Sequence, residues 1–154
     1  GASFAAGCQL IASCDLAYST SNAIFATPGV NIGLFCSTPM VALSRKVNRK
    51  DSMKMLLTGE PIRASHAKEI GLINEFFSDK KLENEVVKIA KLIASKSNLV
   101  LKFGKNAFYK QLEMPLDKAY KFTSEIMVKN MMSRDAKEGI NAFLEKRSPV
   151  WKNR

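Results

Sequence analysis

The chain has 154 residues, 46% of them apolar and 25% charged, with a net charge of +10 from 24 basic and 14 acidic residues. That is the length and composition of one ordinary globular domain, and no apolar run reaches the roughly 18 residues that suggest a membrane span. One histidine and three cysteines (Cys8, Cys14, Cys36), at spacings that fit no usual zinc pattern, exclude a His-rich metal site and leave the thiols as small buried groups.

The first 38 residues carry one charged side chain, Asp15, and are rich in Gly, Ala, Ser and Cys; a stretch so poor in charge is expected to be buried on more than one side. Ala5 to Ser13 predicts a short helix opening in small residues. Leu16–Tyr18 and Ile24–Ala26 predict short strands, separated by the turn-prone Ser-Thr-Ser-Asn at 19–22. Ser37 or Thr38 is expected to cap a helix whose first position is Pro39. Thr58-Gly59 before Pro61 stops the following helix. Ala64–Ile70 predicts a helix closed by Gly71, and Leu72–Phe76 a small strand.

From Asp79 the pattern is helical: Leu82, Val86, Ile89 and Ile93 make one apolar face. Further helices are expected over Leu99–Gln111, Leu116–Met132 and Arg134–Lys146, the last presenting Ala136, Ile140, Phe143 and Leu144 on one side and ended by Pro149. There is no internal repeat and no linker, so a single α/β domain with little sheet and a helical C-terminal half is the economical reading. The basic excess suits a phosphate-bearing partner. The lysines, however, are spread from Lys46 to Lys152 with no stacking aromatics among them, which reads mainly as a solvated helical surface.

Four segments, in order along the chain, carry a family likeness. They are Gly1-Ala-Ser-Phe-Ala-Ala-Gly-Cys-Gln-Leu-Ile-Ala-Ser-Cys-Asp15, Phe25-Ala-Thr-Pro-Gly-Val-Asn-Ile-Gly-Leu34, the stretch from Leu57-Thr-Gly to Gly71-Leu72, and Ala142-Phe-Leu-Glu-Lys-Arg147. Together they resemble the enoyl-CoA hydratase/isomerase (crotonase) superfamily, and several of the strings are similar to one of its subgroups. The resemblance implies the crotonase fold and places Gly1 after the strand-rich first half of the domain. Residues 1–78 would then be the remainder of the α/β core, and 79–154 the helical part through which the family assembles as trimers or paired trimers. No targeting layout opens the chain, so such a segment would lie upstream. The expected compartment is the mitochondrial matrix in a eukaryote and the cytoplasm in a bacterium.

The implied ligand is a coenzyme A thioester, as substrate or ligand, with no tightly bound cofactor and no metal. Such chemistry holds a thioester carbonyl with two main-chain amides while charge builds on its oxygen, one amide at a helix N-terminus. Ala6, with Gly7 beside it, falls at that position; the alternative is a plain helix start. At the positions of the two proton-handling carboxylates stand Gln9, which cannot exchange a proton near neutral pH, and Gly29, which has no side chain. The absence of both groups argues against efficient hydration or isomerisation, since one positioned acid or base contributes about 10²–10⁴ in rate.

Cys36 either packs or, favoured by a helix start near Pro39, acts as a nucleophile. Asn31 is a candidate to reach an acyl group, and His66 is expected on the surface of its helix. Phe143 and Lys146 match the positions that approach the CoA adenine and phosphates; otherwise Phe143 is a core residue and Lys146 solvated. The implied function is an acyl-CoA-binding protein of fatty-acid metabolism with weak or altered activity. The alternatives are an RNA-binding homologue, suggested by the charge, and a non-enzymatic oligomeric subunit.

Overall fold

The computed structural model describes residues 1–153. Their contacts divide the chain into two compact units, Gly1–Lys88 and the part from Ile89 onward. No helix among the described residues is long and apolar enough to cross a membrane.

The first unit opens with β1 (Ala2–Phe4), which turns at Ala5 into α1 (Ala6–Ser13). β2 (Tyr18–Thr20) and β3 (Ile24–Ala26) follow, then a 3-10 turn over Pro28–Ile32. β1 runs parallel to β3 with Ala2 opposite Ile24 and Phe4 opposite Ala26. On its other edge β3 pairs antiparallel with β4 (Ile62–Arg63). As the middle strand, β3 buries Phe25 and Ala26 completely, which is why its three residues carry little polarity. A second sheet pairs β2 in parallel with β5 (Glu75–Phe77).

The helices of this unit begin and end where local chemistry allows. α2 (Ser37–Leu43) starts at Ser37 itself, with Cys36 at the cap and no side-chain cap bond; Ser37 Oγ bonds back to the Phe35 carbonyl instead. The expected Ser37 or Thr38 cap is therefore corrected, and Pro39 stands third in the helix, where its missing N–H would have had no intrahelical partner in any case. α3 (Arg49–Thr58) is capped by Asn48, which accepts the Asp51 N–H, and ends at Gly59 in the left-handed conformation, φ 66°. α4 (Ala64–Glu69) ends before Gly71, φ 79°. Leu72 and Ile73 then turn into the core with Leu43, Leu56 and Ala67. Strand pairing waits until Glu75, three residues later than the sequence suggests, because burying that apolar pair outcompetes extending it. Likewise β2 begins at Tyr18, not Leu16, whose side chain is exposed.

α5 (Asp79–Ala94) is half-buried along Leu82, Val86 and Ile89, while Ile93 on the same stripe is exposed. In the second unit α6 (Asn98–Gln111), α7 (Leu116–Met131) and α8 (Arg134–Leu144) pack on one another, each burying one alanine: Ala107, Ala119 and Ala142. α8 stops two residues before the expected Lys146 and well short of Pro149. Lys146 takes a left-handed conformation, φ 55°, and the Arg147 and Lys146 N–H groups bond the carbonyls of Ala142 and Phe143. These two hydrogen bonds close the helix without proline. The chain then folds back. Asp135, 1% exposed, accepts the Ser97 hydroxyl and the Lys152 and Asn153 N–H groups at 2.7 and 2.9 Å. Trp151 donates its indole N–H to the Ser95 carbonyl at 2.8 Å and lies against Gly139.

Candidate thioester site at the end of two parallel strands

The segments that carry Ala6, Gly7, Gln9 and Gly29 leave the main sheet at the ends of two parallel strands. β1 leads into Ala5 and α1; its parallel neighbour β3 leads into Thr27 and the 3-10 turn carrying Gly29. The Ala5 N–H donates to the Ala26 carbonyl at 3.0 Å, tying the two exits together. Ligands of parallel sheets bind outside such strand ends.

Ala5 carries the sharp corner, with φ 46° and ψ −111°, a region that glycine enters freely and alanine only at a cost. The corner lets the first intrahelical bond of α1 run from Gln9 N–H to Ala5 O at 3.0 Å. The amides of Ala6, Gly7 and Cys8 therefore stand ahead of the helical ladder, at the positive end of the helix. Ala5→Gly is expected to raise stability by about 1 kcal/mol by relieving the corner; urea denaturation of both chains checks this, and an unchanged or lower midpoint contradicts the strain.

Gln9 sits, half-buried, one turn further along α1. Gly29 is more constrained than a missing side chain suggests. A Cβ built on it would lie 2.6 Å from the Leu34 carbonyl oxygen and 2.9 Å from Cys36 Sγ, while its own N–H donates to that sulfur at 3.3 Å. Cys36 is 8% exposed and belongs to the core cluster with Cys8. The Cys8 thiol is pushed up to about 11 by its burial and, secondly, by Cys36. Thr27, fully buried, has a hydroxyl without a hydrogen-bond partner.

Other candidates lie elsewhere. The Asn31 amide rests against Gly59 at the end of α3, 3.1–3.2 Å from where a Cβ would be. His66 faces solvent, its Nδ1 3.0 Å from Glu69. Phe143 is 82% exposed, which corrects the core alternative, and with Ile140, Leu144, Val100 and Trp151 it lines an apolar groove of about 550 Å³ in the second unit. A groove of about 560 Å³ in the first unit, lined by Leu10, Cys14, Tyr18 and Leu82 among others, contains none of Ala6, Gln9 or Gly29. Among the described residues no cluster of three or more His, Cys, Asp or Glu could hold a metal. Sequence reasoning missed the Ala5 corner and the orphan Thr27 hydroxyl. An alanine gives no turn signal, and a threonine between Ala26 and Pro28 reads as strand end.

Comparison with known proteins identifies the family and the fold. The family model for enoyl-CoA hydratase/isomerase matches residues 1–154, and that family acts on CoA thioesters. Enoyl-CoA hydratase domain-containing protein 3, mitochondrial, of Rattus norvegicus is 54% identical over 151 residues, 98% of this chain and 50% of the relative. The crystal structure of the human enoyl Coenzyme A hydratase domain-containing protein 3 superposes with a TM-score of 0.95 at 54% identity, covering 98% of this chain and 60% of that one. An enoyl-CoA hydratase of Mycobacterium smegmatis gives a TM-score of 0.96 at 48% identity, covering 98% and 59%. The chain thus spans about half the length of the curated relatives it matches, and over that span it has the crotonase fold. With all 154 residues matched by the family model, the chain belongs to the enoyl-CoA hydratase/isomerase family.

Proposed function

We propose that this chain is the thioester-holding part of an acyl-CoA-binding protein of fatty-acid metabolism in which the hydratase proton chemistry has been given up. The observations that carry the reading are the α1 N-terminus, where the Ala6 and Gly7 amides stand ahead of the helical ladder, and a Gly29 whose surroundings leave no room for a side chain. An oxyanion placed there meets main-chain donors, but Gln9 and Gly29 offer no acid or base. In this reading Phe143 and Lys146 serve the CoA moiety, and the compartment is the mitochondrion named for the rat relative. The segment from 79 serves assembly. Exposed apolar side chains such as Leu116, Tyr120, Met127 and Leu144 support that last role, and light scattering tests it by the mass of the particle.

The test of function pairs acyl-CoA affinity with crotonyl-CoA turnover. Binding is expected, with hydration below an ordinary hydratase by the order of 10⁴ or more, since two positioned groups are missing. Turnover at hydratase rates would defeat the reading of Gln9 and Gly29; no binding would defeat the thioester pocket itself.

A further inference from the structure

The chain exposes 10733 Å² of surface, whereas a folded monomer of its mass, 17.1 kDa, exposes about 7,800 Å². Even two separate globules of the sizes of its two units would together expose only about 9,300 Å². Much of this surface is apolar, and it includes two continuous features. In the first unit it is the groove of about 560 Å³ where α1, β2 and α5 meet, walled by Leu10, Leu16, Leu82 and Val86. The charged residues that line it, Asp79 and Glu83, are both acidic. In the second unit it is the outer side of α7, where Leu116, Tyr120, Met127 and Met131 are 55–74% exposed. Their spacing of i, i+4, i+11 and i+15 makes one stripe of a helix. Lys121, also exposed, flanks that stripe two turns before Val128. The units differ in charge as well: the first has 10 basic and 8 acidic residues, net +2, and the second 14 and 6, net +8. The acidic groove thus belongs to the nearly neutral unit and the lysine-flanked stripe to the strongly basic one.

We propose that the groove of one copy takes up the α7 stripe of a second copy, with Glu83 meeting Lys121 at the border of the contact. The proposal rests on the assembly reading above and names the surfaces that carry it. A standard interface covers about 800 Å² on each partner. Each copy offers one groove and one stripe, so about 1,600 Å² per copy would be covered, which is the order of the excess over two separate globules. Charge selects this pairing over its rivals. Stripe against stripe would bring Lys121 toward its own counterpart in the basic unit, and groove against groove would do the same for Asp79 and Glu83; like charges brought together in this way oppose association. Groove against stripe sets carboxylate against ammonium while both apolar surfaces leave water. Such a contact joins two different surfaces, so it closes in a ring of copies or runs on as a series.

The experiment measures particle mass by light scattering across a concentration series for the full chain, for Glu83→Lys, for Lys121→Glu and for an equimolar mixture of the two variants. Both positions are exposed, and circular dichroism confirms that each variant folds. The parent chain is expected to associate, and each variant alone to associate more weakly by the order of tenfold or more. The mixture should regain the lost association, because the reversed groove of one variant then faces the reversed stripe of the other. A misfolded variant could not be rescued in this way, so recovery reports the contact itself. Association that neither substitution weakens, or that both weaken without recovery on mixing, overturns the proposal and leaves the assembly reading intact. A parent chain that stays monomeric throughout overturns both.

Discussion

Gly29→Glu is expected to destabilise the first unit by about 3 kcal/mol and to leave crotonyl-CoA hydration no higher than in the parent chain. The reason is steric before it is chemical. The first atom of any side chain at 29 meets the Leu34 backbone carbonyl at 2.6 Å, and that carbonyl cannot step aside without moving the loop that carries Cys36. Gly29→Ala isolates this cost at roughly 1–3 kcal/mol. Adding Cys36→Ala should recover only part of it, since the sulfur is one obstacle and the carbonyl the other. Urea midpoints of the three variants separate the contributions. A Gly29→Glu chain as stable as its parent would sink the packing argument. In that case the missing carboxylate would be a simple substitution, which Gln9→Glu together with Gly29→Glu could reverse.

In the second unit the largest effect is expected from Asp135→Ala, a fall in Tm on the order of 10 °C. The buried carboxylate accepts the Ser97 hydroxyl, which also caps α6, and holds down the tail through the Lys152 and Asn153 amides. Removing it strands those donors at once. Burial opposes the charge on Asp135, but these three hydrogen bonds outweigh it and hold the carboxyl below its usual range. Glu138 is held down to about 2 from an ordinary 4.5, first by the Arg147 guanidinium and then by the Val150 N–H. Both folded carboxyls thus release their protons more readily than unfolded ones. Their contribution to stability is complete above about pH 4.5 and is lost as the pH falls toward 2. The unfolding midpoint of this unit should drop across that window, and Glu138→Gln should flatten the drop. A midpoint independent of pH there would contradict the network.

Much of the helical half was legible because its signals are local. Ser97 and Ser133 cap α6 and α8 and apolar spacing marks their faces, as Gly59 and Gly71 mark the ends of α3 and α4 in the first unit. The strands were less so. β4 has two residues and β1 three, too few to show alternation, and each exists because β3 lies between them. The end of α8 misled for a different reason. Proline is a visible stop, whereas Lys146 adopts a left-handed turn that no lysine advertises. The apolar stripe through Ile140, Phe143 and Leu144 was read correctly as one face, but periodicity reports a common side and not what covers it; here it borders an open groove. At the candidate site, the resemblance indicated which groups to expect and residue types showed Gln9 and Gly29 in their stead. Only the three-dimensional arrangement indicated what had filled their place.

Trp151 is the only tryptophan in the chain, and its indole sits on Gly139 with its N–H on Ser95. Its emission is therefore a private reporter for the helical unit, blind to melting of the strands around Phe25. Recorded beside far-ultraviolet circular dichroism, it resolves whether the two units lose their structure in one event or in two.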